Sequence, residues 1–309
     1  MEGDSVPENA SQDDVLTSGT EAMRRLLRGQ TPEEELRSTA ELKGWLDAIP
    51  VLVERAEKLA QIHSSRRSVM SVDDEHSNPI QFSHMVHFCM LVAIDDLQAL
   101  RQLMHPDGAD VVSVPIFAMY PLLRGVIEAS AQAIWLLEGA DRAERLTRLV
   151  RARSTELAYE QDLAREIAKS LPAGRERQEM EKQIKKDRRR RRSYIIDVIE
   201  QNGLDRGACD VTMPGYGPLV ELAGPHVGIN GNLVRSVWQF VSGLTHPSTA
   251  RALTASTLIE VAPARGNIRS ARVEADIGQV TVVFPLAIRL YRVADSLRRT
   301  RMVQAPGDD

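Results

Sequence analysis

Several things are scarce in this chain, and each scarcity removes a class of protein. It has two cysteines in 309 residues. Cys89 lies in an apolar run and Cys209 in a stretch that reads as loop, so neither a disulfide framework nor a paired-cysteine redox or zinc motif is present. Aromatic residues make up 4% of the chain, too few for the usual composition of a sheet-rich fold. Six of the 39 basic residues are lysine, a bias that fits a GC-rich genome better than a selected arginine function. Neither charge dominates: the formal net charge is −4, which gives no global field for nucleic acid and leaves only a local patch to look for. The sequence holds no P-loop, no dinucleotide fingerprint, no G-x-S-x-G elbow and no H-E-x-x-H, so the commonest motif-bearing enzyme classes are excluded. The N-terminus, MEGDSVPENASQDD, is acidic and polar, unlike a signal peptide.

What is present points to helix. Hydrophobic residues at 43% and charged residues at 27% are those of a globular protein, and the length can bury a sizeable core. Ala, Leu, Arg and Glu dominate, and these favour helix. The expected fold class is all-α, a multi-helix bundle with a long helical hairpin. Residues 1–30 read as a disordered or weakly ordered segment with a short amphipathic piece, EAMRRLLRG, and 31–309 as a single domain.

The chain is organised around Val111 to Leu137, VVSVPIFAMYPLLRGVIEASAQAIWLL. Only Arg124 and Glu128 interrupt its apolar character, with Tyr120 and Gln132 extending their four-residue spacing on either side. Such a helix is buried on nearly every face, and its polar stripe needs partners there. It is long enough to span a bilayer. However, Pro115, Pro121 and two charges costing roughly 2.5–3.5 kcal/mol each argue for the core of a cytoplasmic protein with no membrane contact.

Other elements follow in order. Thr31-Pro32-Glu33-Glu34 is a capping-box helix start, with Leu36, Leu42, Trp45, Leu46 and Ile49 facing inward. Pro50 kinks that helix or divides it from a second one reaching Met70. Ser71 to Pro79 reads as loop, and Ile80 to Met104 as helix. On the latter, His84 and His87 share a face and are candidate metal ligands. The Glu-x-x-His pattern of helical di-iron sites is absent, and two hydrogen-bonded histidines with no metal or cofactor is the plainer reading.

Asp141 and Glu144 cap a helix that turns at Pro172 to Gly174 and returns to Asn202, making a hairpin over 141–202. Its returning arm carries KKDRRRRR, Lys185 to Arg192. Two readings stay open. These cations face Glu156, Glu160, Asp162 and Glu166 of the opposite arm, or they hold the phosphates of a nucleic acid. Gly203 to Gly231 reads as a long loop with a helical turn at Leu219 to Leu222. A helix starting near Asn232 places Arg235, Trp238 or Gln239, Ser242 and His246 on one face, and Pro247 ends or redirects it. A further helix is expected from Ser248 to Val261, then loop, then a helix from Ile277 to Arg299 despite Pro285.

Three segments in order, LLRGVIEASAQAIWLLE, RAERLTRLVRA and WQFVSGLTHPS, resemble a group of uncharacterised helical proteins of high-GC bacteria. These share an R-x3-E-x6-W core helix, an arginine-rich following helix and a late S-x3-H segment, and the matched segments cover 81–171 and 230–300. More distantly the group resembles the HEPN superfamily, all-α proteins many of which are RNA-cutting toxins or defence proteins acting as dimers. The resemblance implies the fold, a homodimer, and Arg124, Glu128, Trp135, Ser242 and His246 as the matching positions. The HEPN nuclease motif, Arg then four to six residues then His, is absent: Arg101 to His105 has three between and Arg235 to His246 has ten.

Three functions are therefore weighed. The first is a regulatory or interaction protein whose Arg124, Glu128 and His246 cluster is structural. The second is HEPN-like RNA hydrolysis, with His246 as acid or base and Arg124 stabilising a phosphate oxyanion. The third is a small-ligand or metal site using His84, His87 and the central stripe. The late helix is expected to bring Ser242 and His246 to Arg124 and Glu128, because a guanidinium and a carboxylate need more partners than each other.

Overall fold

In a computed structural model, residues 31–266 and 268–305 are described. The expectations for residues 1–30 lie outside that range. Ten α-helices and one two-stranded antiparallel sheet make up the described chain, an all-α multi-helix bundle. The helices are α1 (Pro32–Ala60), α2 (Val69–Ser77), α3 (Phe82–Met104), α4 (Met119–Leu137), α5 (Arg142–Ser170), α6 (Arg175–Gln201), α7 (Tyr216–Ala223), α8 (Gly231–Leu244), α9 (Thr249–Thr254) and α10 (Ile277–Val303). The strands β1 (Ser256–Arg265) and β2 (Ile268–Ala275) stand between α9 and α10.

Within the stretch read as one domain the chain forms two compact units. The first comprises 31–62, Cys89–Gln132 and Tyr216–Asp295; the second comprises His63–Phe88, Ala133–Gly215 and 296–305. α3, α4 and α10 each pass from one unit to the other.

In the first unit, α1 begins as its sequence dictates. The Thr31 hydroxyl accepts from the Glu34 N–H while the Glu34 carboxylate accepts from the Thr31 N–H, which satisfies two helix-end donors at once. Leu42, Leu46, Ile49 and Leu52 form the buried face, whereas Leu36 is exposed. The helix continues past Pro50 without dividing and stops at Ala60. Pro50 lies on the exposed face of the helix, where its ring meets solvent rather than the core.

α4 is buried as expected, with Leu123, Val126, Ile127, Ala131 and Ala133 fully enclosed. It begins at Met119 rather than Val111. Residues 111–118 are not helical, and Pro121 falls in the first turn, where its lacking N–H has no intrahelical acceptor to lose.

Two expectations in this unit are corrected. The loop expected before α8 contains the eight-residue helix α7 and two short 3-10 turns, Arg206–Cys209 (in the second unit) and Pro225–Val227. The helix expected from Ser248 to Val261 stops at Thr254 and gives way to β1. Thr257, Ile259 and Val261 alternate along that stretch, and β-branched residues at period two favour a pleated strand. The turn back into β2 uses Gly266 at φ 60.

The second unit is built on the hairpin. Asp141 caps α5 by accepting from the Glu144 N–H at 2.8 Å, while Glu144 accepts from the Ala140 N–H. α5 and α6 pack antiparallel around a tip at 171–174. Val150, Ile195, Val198, Ile199 and Ala208 form the apolar cluster at its base. Towards the tip the returning arm is mostly exposed, as the lapse of apolar residues there predicts. The loop expected at Ser71–Pro79 is instead α2, capped by the Ser68 hydroxyl accepting from Ser71.

Among the described helices, α10 is long and apolar enough to cross a membrane, and 67% of its apolar window is buried.

Candidate functional site

The polar stripe of α4 does find partners, and α8 supplies two of them. Arg124 Nε donates to Glu128 Oε1 at 2.7 Å, closing the four-residue spacing within the helix. The indole N–H of Trp238 donates to the same oxygen at 2.8 Å. Arg124 Nη1 donates to Thr245 Oγ1 at 3.2 Å, and that hydroxyl donates onward to the Ser242 carbonyl at 2.7 Å. Farther along the stripe, Tyr216 of α7 donates to Gln132 Oε1 at 3.4 Å. The Glu128 side chain is only 14% exposed and Arg124 29%. Tyr120 packs its ring edge-on against Phe240, 6.1 Å between centroids, and burial raises its hydroxyl above the ordinary phenol range.

The expected convergence with Ser242 and His246 does not form. The Ser242 side chain makes no hydrogen bond to either charge, and His246 is exposed. The reason is where α8 ends. Ser242 and His246 share a face only while the helix continues, and it stops at Leu244 with Thr245 as its cap. Pro247 disfavours helical geometry at the residue before it, so His246 leaves the helix. Trp238 and Thr245 fill the places assigned to Ser242 and His246. With two donors converging on one Glu128 oxygen and no histidine beside it, the arrangement joins helices and offers no proton-transfer pair.

α3 also touches α4 closely. A side-chain carbon at Gly125 would lie 2.0 Å from the Asp96 carboxylate, so a larger residue there would have to displace the Asp96 side chain. Burial, then the neighbouring Asp95 charge, pushes the Asp96 carboxyl up to about 6.

In the second unit, His84 is exposed and His87 half-buried. Burial lowers the His87 imidazole first, with Arg298 adding to it. No group of three or more metal-ligating side chains occurs among the described residues.

The sequence missed a buried ion pair. Arg145 Nε and Nη2 donate to the two oxygens of Asp73 at 2.7 and 3.2 Å, and Nη1 donates to the Gly139 carbonyl at 3.1 Å. Both side chains are at most 5% exposed. Burial raises the Asp73 carboxyl although the guanidinium pulls the other way. Two signals were available: an arginine beside Leu146 and Leu149 on an inward face, and Ser68 at cap position before Asp73.

The basic run of α6 is the remaining candidate. Of its seven cations, one pairs across the hairpin, Arg191 with Glu160. Arg192 pairs with Asp210 at 2.9 Å, and Arg190 with Asp187 in its own helix at 3.3 Å. Lys185, Lys186, Arg188 and Arg189 are exposed and have no ion-pair partner among the described residues. Lys185, Arg188, Arg189 and Arg192 line one surface concavity, as their spacing of three and four residues requires. The expected pairing with Glu156 through Glu166 is thus confined to a single contact.

No family model, curated protein or solved structure matches the chain.

Proposed function

We propose that the chain is a helical interaction protein that holds the phosphate backbone of a nucleic acid on the cationic face of its hairpin, with the Arg124–Glu128–Trp238 cluster serving structure alone. The observation that carries this reading is the stripe formed by Lys185, Arg188 and Arg189. Like charges three and four residues apart on a helix repel one another. Acids at the neighbouring positions would relieve that repulsion, yet Asp187 and Glu160 of the hairpin serve Arg190 and Arg191, and Asp210 beyond it serves Arg192. A polyanion relieves it, and it releases counterions on doing so. An all-helical chain is also what the HEPN resemblance implies, so RNA is the polymer to test first. Hydrolysis has no support from His246, which is exposed and makes no hydrogen bond to Arg124 or Glu128.

The experiment is anisotropy of a labelled single-stranded RNA with the full chain over a range of salt concentrations. Changing Lys185, Arg188 and Arg189 together to Ala is expected to weaken binding at low salt by at least about tenfold. It should also reduce the salt slope by about 2, the value for three lost contacts to a single strand. Binding that is absent in the parent chain, or indifferent to the triple change, overturns the reading. Cleavage of the labelled RNA that is lost on His246→Ala would restore the nuclease alternative.

A further inference from the structure

Among the described residues, the hairpin of β1 and β2 is a ribbon of two strands with no third strand on either edge. Ribbons of this kind are marginal in water and gain stability from a further strand. Its two edges differ. β1 carries Pro263 and two irregularities, between Glu260 and Ala262 and between Ala262 and Arg265, and both features blunt an edge against pairing. β2 has no proline, and from Ala271 to Ala275 its pairing with β1 is regular. Its free edge can therefore accept another strand.

The side chains indicate which strand. Leu258 stands opposite Val273 and Glu260 opposite Ala271 on one face, with Thr257 opposite Glu274 and Ile259 opposite Arg272 on the other. Arg272 and Glu274 pair at 2.6 Å along the strand while staying 65% and 44% exposed. We infer that β2 pairs antiparallel with β2 of a second copy of this chain, in a register centred on Val273. That register sets Arg272 of each copy opposite Glu274 of the other, and Ala271 opposite Ala275. It also extends one apolar row, Leu258–Val273–Val273–Leu258, across four strands. Registers centred on Arg272 or on Glu274 set like charges opposite and are disfavoured. A one-residue slip would turn the apolar row to the other face. The blunted β1 edges then face outward, so assembly closes at two copies rather than growing into a fibre. The inference is independent of the nucleic-acid reading, which concerns α6.

Sedimentation velocity of the full chain over a wide concentration range tests it. The expected result is a reversible monomer–dimer equilibrium. Arg272→Glu is expected to weaken association by about tenfold or more, since it turns two attractive pairs repulsive. Adding Glu274→Arg to it restores opposite charges across the two-fold and is expected to return association to within about threefold of the parent. Both positions are on the surface, and circular dichroism confirms that each variant stays folded. A chain that remains monomeric at every concentration overturns the inference and leaves the edge to a strand of another protein. A dimer equally stable in all three forms, or a double variant as weak as the single one, overturns it too.

Discussion

Asp73 and Arg145 are almost wholly withdrawn from water, and each has already lost its hydration to the fold. Removing one partner strands the other, so Arg145→Ala is expected to cost about 3–5 kcal/mol of unfolding free energy. Replacing both by apolar residues of similar size is expected to be close to neutral, because no charge is then left buried. Urea denaturation of the two variants separates the cases, and a small loss from Arg145→Ala would mean that the pair is hydrated in solution. Asp96 makes a second prediction at this scale. Its folded value of about 6 lies above the ordinary 3.8, so between those values the folded chain binds a proton that the unfolded chain releases. Stability from this group is present below the lower value and falls as pH rises through the window. Asp96→Asn is therefore expected to stabilise the chain at pH 8 and to lose that advantage near pH 4. Because Asp96 is only partly buried, the gain is about 1 kcal/mol after allowing for solvent screening. Thermal melts at the two pH values check it.

Helix ends decide much at the level of elements. Thr31 with Glu34 and Asp141 with Glu144 were legible because capping is a local bargain between residues three apart. The hairpin and its tip were legible for the same reason. The burial of α4 was legible because an apolar helix with one polar stripe has no other stable place. By contrast, the end of α8 at Leu244 turned on Thr245 and Pro247 against a pattern that continued to His246. Sequence spacing chose the right pair of helices and the wrong residues on one of them. β1 was hidden because Ala, Arg and Leu before it read as helix. α2 was hidden because its many polar residues read as loop, and only the buried contact to Arg145 explains Asp73. Two predictions belong here. Trp238→Phe and Glu128→Gln are expected to be coupled by about 0.5–3 kcal/mol in a double-mutant cycle, since the indole and carboxylate share one hydrogen bond. Glu160→Ala is expected to cost no more than about 1 kcal/mol, because its pair with Arg191 is half-exposed.

At the scale of the whole molecule, each compact unit is assembled from three separated stretches of chain. A fragment of residues 133–215 contains the entire hairpin but leaves Arg145 without Asp73. Its expected behaviour is helical circular dichroism with a broad thermal transition, in contrast to the sharper transition expected of the full chain. A fragment melting as sharply as its parent would show that α2 contributes little. The interleaving also bears on heredity. A gene segment exchanged by a single pair of crossovers carries one contiguous stretch, so it can never transplant either unit whole. Shuffling or fusion of either unit as one contiguous module is closed to such a chain.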